Sequence, residues 1–238
     1  PTAWVQMAQQ RWTKTPPEDV PMCAIGVDAS GGGDDPMIIA PRHDGWYAEL
    51  IEVPGKQIPM DRAGAYCGGL IVGYRRDSAL VIVDMGGGYG GPMYEHLKGN
   101  QIEVYAYKGA EKSLRRSADG KLHFTNKRTA AYWQFREALD PGQPGGSPIA
   151  LPPNARLLSD LTAPTFEITP NGIKAEPKED VCERLGRSTD YGDAVVMAWH
   201  EGPKEITHAL DWIEERFQHP EGGEFTGSPG DNHVRRGG

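Results

Sequence analysis

Cysteine is scarce in this chain. There are three in all, Cys23, Cys67 and Cys182, widely separated and forming no CxxC pair. That argues against a zinc site or a disulfide framework and points to a reducing compartment. No apolar run approaches the roughly 18 residues that a bilayer-spanning helix needs, and the N-terminus lacks the pattern of a signal peptide. The GxxxxGK[ST] signature of a P-loop occurs nowhere, so no ATP site of that kind is expected. His43, His96 and His200 stand alone, without ligand spacing, and read as core or surface residues. No internal repeat is visible.

What remains is the composition of a globular chain: 238 residues, 38% apolar and 24% charged, enough for one sizeable core. It begins at Pro1 rather than Met, as expected of a piece of something longer. The net charge of −8 suits no polyanion binder as an average, but the charge is unevenly spread. Between residues 108 and 136 lie Lys108, Lys112, Arg115, Arg116, Lys121, Lys127, Arg128 and Arg136, opposed by Glu111 and Asp119 in the stretch up to Arg128. Phe124, Tyr132, Trp133 and Phe135 are interleaved with them. Such a segment reads either as a phosphate-binding face or as an ordinary solvated charged surface.

Along the chain, residues 1–21, with Pro16, Pro17 and Pro21, read as a leader or linker. Residues 22–202 form the main domain, and 203–238 an outer helix with a disordered tail. "MCAIGVDAS", "PMIIAPR" and "GWYAELIEV" read as three strands of an antiparallel meander, with His43-Asp44-Gly45 as a hairpin turn. A helix over 58–76 follows, then the short β-branched strand "SALVIVD", which reads as buried and parallel. A short helix over 92–98, a fifth strand "QIEVYAY" and the helix "NKRTAAYWQFREAL" come next. The Pro- and Gly-rich stretch 140–154 reads as a loop. "TFEITPNGIKAEP" reads as a hairpin turning at Asn171-Gly172: either an ordinary surface hairpin or a gate. "PKEDVCERLG" carries helix signals at both ends, Pro177 and Gly186. The apolar helix over 189–199 closes the series. The order predicts a mixed α/β sheet, an antiparallel meander joined to two parallel strands and flanked by helices.

Two strands end on an acid before glycines: "CAIGVD" on Asp28 and "ALVIVD" on Asp84. Asp190 and Asp193 sit at the mouth of the last apolar helix. Each has a plain reading, as a turn former or as a first-turn acid complementing the helix dipole, with Ser188 or Thr189 as N-cap. Together they have another. In this topology the first and fourth strands can be neighbours, and adjacent carboxylates repel unless a cation lies between them. With no Cys or His ligand nearby in sequence, an all-oxygen site suits Mg²⁺ or Mn²⁺. Two ions roughly 4 Å apart would ready a water and stabilise the leaving oxygen in phosphodiester cleavage. The run Gly86-x-Gly88-x-x-Gly91 formally matches a dinucleotide fingerprint, but three strands precede it and the next strand ends at Lys108 rather than an acid. Its glycines read instead as room for a substrate backbone beside Asp84.

Three stretches resemble the nuclease domain of phage terminase large subunits: "GVDASGGGDDPMII", "VIVDMGGGYGGPMYEHL" and, most specifically, "IKAEPKEDVCERLGRSTDYGDAVVMAW". The likeness runs from about Cys23 to Trp199. It implies a ribonuclease H-like fold and a metal-dependent endonuclease that cuts concatemeric double-stranded viral DNA in the host cytoplasm. The implied metal ligands and catalytic acids are Asp28, Asp84 and Asp193, with Asp190 as helper or outer ligand. Thr189 stands where the family usually has proline. The implied partners are the ATPase half of the full-length protein, a small terminase subunit and a portal protein; no membrane is expected. Lys108, Lys112, Arg115, Arg116, Lys127, Arg128, Arg184 and Arg187 are expected to hold the DNA backbone. The DxxD spacing also resembles Holliday-junction resolvases, so a resolvase or transposase-like nuclease stays open, as does a clamping module with structural acids.

Overall fold

Every residue of β1 (Ala24–Asp28) is buried, for the strand has a neighbour on each edge and helices over each face. The computed structural model describes residues 1–200; the expected outer helix and tail lie outside the described residues. Antiparallel to β1 runs β2 (Met37–His43), and on its other edge β5 (Leu80–Asp84) runs parallel, followed by parallel β6 (Val104–Tyr107). This is the expected topology.

The third expected strand is corrected in detail. It splits into β3 (Trp46–Tyr47) and β4 (Ile51–Val53), both paired with β2. The reason is tertiary: the Tyr47 amide donates to Ala150 O at 3.0 Å, while the Ala48 amide still reaches back to Pro41 O. The turn between β2 and β3 has Asp44 at φ +49°, the conformation that Asp-Gly was expected to supply.

Side chains alternate along a strand, so β1 divides its burial between two cores. Ile25 and Val27 meet α2 (Ala63–Tyr74) and α3 (Gly90–Gly99) through Cys67, Ile71, Met93 and Leu97. Ala24 belongs to the opposite core, with α4 (Lys127–Leu139), α5 (Ala155–Thr162) and α7 (Asp190–Ala198). Gly26 decides how close α7 comes: a Cβ there would stand 2.0 Å from Ala194 O and 2.8 Å from the Ala198 amide nitrogen. Arg42, fully buried on β2, fixes the far end of that helix by donating to Ala198 O at 2.6 Å and lying over the Trp199 ring.

Residues 1–21 are not the leader their prolines indicated. Thr2–Gln10 forms helix α1, whose Val5 and Ala8, three apart, enter the main core. The described residues therefore belong to one compact unit that includes the N-terminus. Helix α5 follows the loop and is capped by Asn154, whose side chain accepts from the Leu157 amide at 2.9 Å. Its "ARLLSDLT" sequence is short and amphipathic, with Leu157, Leu158 and Leu161 turned to the main core. The hairpin β7 (Phe166–Thr169) and β8 (Gly172–Ala175) forms as expected, separate from the main sheet. It leads into α6 (Lys178–Leu185), bounded by Pro177 and by Gly186 at φ +67°.

Candidate metal centre

Strand parity places the first two acids. Ala24, Gly26 and Asp28 share one face of β1, and Leu80, Ile82 and Asp84 share the same face of β5. The parallel register pairs Val27 with Val83, so Asp28 and Asp84 lie at adjacent strand ends on the side that α7 covers. That helix packs so closely over Gly26 that its first turn delivers Asp193 to the same point.

Asp193 is held from several sides. Tyr132 Oη donates to its Oδ1 at 2.7 Å; Thr189 Oγ1 donates to Oδ2 at 2.8 Å, and Lys178 Nζ lies 2.9 Å from Oδ2. Burial alone would raise this carboxyl, but Lys178, Arg128 and these hydrogen bonds prevail and hold it below the usual range. Asp28 behaves in the opposite way. Burial, reinforced by the neighbouring acids, raises it well above the usual range against the pull of Lys178. Its Oδ2 is buried with no hydrogen-bond partner and lies 3.8 Å from Lys178 Nζ. Asp84 is also raised, chiefly by burial, although the Gly86 amide donates to its Oδ1 at 2.9 Å.

The acids thus surround a positive charge, and it is the ammonium of Lys178. Burial would depress it, but Asp193 and Asp28 outweigh that and raise it above its ordinary range. Among the described residues no three acidic, His or Cys side chains converge tightly enough to grip a metal ion as they stand. They are spaced around an ammonium instead. The donor set still fits a hard divalent cation: all oxygen, largely buried, and with one carboxylate oxygen of Asp28 left without a hydrogen bond.

Asp190 opens α7 beside this group and adds to the raising of Asp28. Its Oδ2 has no hydrogen bond and lies 3.9 Å from Arg156, which also stacks on Tyr191. Thr189 holds the N-cap position, but its hydroxyl makes no cap and turns to Asp193. The free amides of that helix end go to Asp160 on α5, which accepts from Tyr191 and Gly192, both at 3.2 Å.

The expected DNA-holding residues separate into groups. Lys112 lines an open groove of about 770 Å³ between residues 110–125 and the β7–β8 turn. Arg115 donates to Gln134 and Arg116 to Gly120 O. Lys108 and Lys127 share Glu111, Arg184 pairs with Glu176, and Arg187 turns inward onto buried Asp160. Arg128 reaches the acid site. Lys178, Tyr132 and Asp160 were not anticipated. Thr189, four residues before Asp193, had a legible helical spacing; Lys178 had none.

A mixed sheet with acids at neighbouring strand ends and a third on the helix across them defines a ribonuclease H-like α/β fold. Among solved structures it is similar to the nuclease domain of the large terminase subunit gp2 of bacterial virus Sf6, at 19% identity and TM-score 0.63, covering 83% of this chain and 96% of that one. A point mutant of that domain with manganese matches at 18% identity and TM-score 0.60, over the same shares. At such identities the likeness is one of fold. No protein-family model and no curated protein matches the chain.

Proposed function

We propose that this chain is the metal-dependent endonuclease domain of a viral genome-packaging terminase, cutting concatemeric double-stranded DNA. The observation that carries the reading is Asp28 and Asp84 side by side on parallel strands, faced by Asp193 from α7. The fold it shares with the Sf6 domain, and the manganese in a structure of that domain, support it.

Asp28, Asp84 and Asp193 hold the cation site, with Asp190 behind it. Two Mg²⁺ or Mn²⁺ ions there would supply the Lewis acidity that readies a water and stabilises the leaving oxygen. The chain's own contribution is preorganisation. Tyr132 and Thr189 fix the Asp193 carboxylate, and Gly86 fixes that of Asp84. Lys178 offsets part of the mutual repulsion of the acids, and must move aside for a divalent ion. The basic residues from Lys108 to Arg128 hold the backbone by charge, so binding tolerates sequence and weakens with salt. The ATPase half of the full-length protein, a small terminase subunit and a portal protein are the partners this role requires, in the cytoplasm of the infected cell.

The test is plasmid cleavage with Mg²⁺, Mn²⁺ or EDTA, beside Asp28→Asn, Asp84→Asn and Asp193→Asn. Metal-dependent nicking lost in all three folded variants supports the reading. Equal nicking by the variants removes the site, and a preference for branched over linear duplex points to a junction resolvase.

A further inference from the structure

Arg128 differs from the other basic residues around it. Its amide donates to Gly109 O at 2.9 Å, which seats the start of α4 against the loop after β6. Its guanidinium is oriented by two contacts: Nη1 donates to Glu176 O at 2.8 Å, and the group lies 5.0 Å from the centre of the Tyr132 ring. Tyr132 in turn holds Asp193, so the cation is tied to the acid site through a fixed aromatic.

That leaves Nε and Nη2. Both are buried, and neither has a hydrogen-bond partner. These two nitrogens share one edge of the guanidinium, and their N–H groups form the fork that meets two oxygens of a single oxyanion. A buried charged donor without an acceptor is costly, and two on one edge mark a place kept for a ligand. Asp84 and Asp193 are near enough for Arg128 to draw both downward in pKa, yet neither makes a salt bridge with it.

Arg128, Asp84, Asp193, Tyr132 and Lys178 line one small cavity of about 50 Å³. Lys178, one of the residues lining it, is one-third exposed. The cavity walls already carry carboxylates, so the anion to be received is not another of the protein's own acids.

We propose that the Nε–Nη2 edge of Arg128 clasps two oxygens of one phosphodiester of the strand being cut, setting the register of that strand against Asp84 and Asp193. This rests on the nuclease reading and adds to it a division of labour. Lys112, Arg115 and Arg116 hold DNA by charge, whereas Arg128 places a particular phosphate.

The experiment compares wild type, Arg128→Lys and, as a control outside the site, Arg76→Lys, exposed just past the end of α2, each checked by thermal melting. Single-turnover cleavage with Mn²⁺ is measured beside duplex affinity in EDTA. Lysine keeps the charge and removes the fork. Arg128→Lys is expected to slow cleavage at least about tenfold, with affinity changed less than about threefold, while Arg76→Lys changes neither. Neutral methylphosphonate linkages near the cut locate the contact. One linkage slows wild type, and Arg128→Lys shows no further loss there. Wild-type cleavage by Arg128→Lys overturns the proposal, and so does an equal loss of rate and affinity. If Arg128→Lys melts below the assay temperature, the linkage scan on wild type decides, and a scan with no sensitive linkage overturns it. A wild type that never cuts fails the nuclease reading itself; one that cuts as well as Arg128→Lys fails this proposal alone.

Discussion

Lys178 Nζ lies 2.9 Å from Asp193 and 3.8 Å from Asp28, so a side chain from α6 supplies the positive charge that acids from β1 and α7 surround. The acids come from β1, β5 and α7 and the lysine from α6, and Lys178 and Asp28 are each perturbed by the rest of the group. Removing any one changes the rest.

Lys178→Ala should therefore lower stability in EDTA. Breaking a largely buried ion pair leaves its partners uncompensated, and a loss of about 2 kcal/mol is expected once the partial exposure of Lys178 is allowed for. Added Mn²⁺ should restore the melting temperature, and calorimetry should show tighter Mn²⁺ binding than in wild type. A variant as stable as wild type in EDTA would remove Lys178 from the charge balance.

Asp28→Asn should have the opposite effect on the chain without metal. The folded-state pKa of Asp28 is raised, so its contribution to stability is present below the ordinary carboxylate range and lost as pH rises through the raised value. At neutral pH its ionisation works against folding. The amide has no such charge, so Asp28→Asn should melt higher than wild type in EDTA at pH 7 to 8, and the difference should shrink toward acid pH. Asp193, held low, should behave in reverse: its stabilising contribution is present above the ordinary carboxylate range and lost as pH falls through its depressed value. A melting temperature of Asp28→Asn below wild type at neutral pH would contradict the first assignment.

Gly26→Ala tests the close approach that brings Asp193 into place. The added methyl would meet Ala194 O and the Ala198 amide, both backbone, which cannot swing away. A loss of about 3 kcal/mol is expected in urea denaturation, with cleavage reduced in whatever fraction stays folded.

Arg187 offers a clean distinction between support and binding. It pairs with fully buried Asp160, whose other oxygen receives the first amides of α7. Arg187→Ala should cost about 3 kcal/mol of stability, and a double-mutant cycle with Asp160→Asn should show strong coupling between them. Its effect on duplex affinity should be small; a large loss of affinity without loss of stability would return Arg187 to the DNA-holding set.

Much of this fold is legible in one dimension because its signals are local. Asp44-Gly45 turns the first hairpin where its dipeptide predicts, the second turns one residue early, at Pro170-Asn171, with Gly172 already paired to Thr169, and Pro177 and Gly186 bound α6 as their backbone preferences dictate. The N-terminal helix was hidden by the prolines after it, and the split of the third strand depends on Ala150, a hundred residues downstream.

The sequence by itself determined which strands end on an acid and, through alternation along β1 and β5, that Asp28 and Asp84 share a face. Tertiary structure decided everything that depends on approach across the chain: Lys178 among the acids, Tyr132 on Asp193, and Arg187 turned inward to Asp160. A strand's two-residue period is a property of the backbone and is written in order along the chain. The partner of a charge is set by which surfaces pack together, and no spacing in the sequence records it.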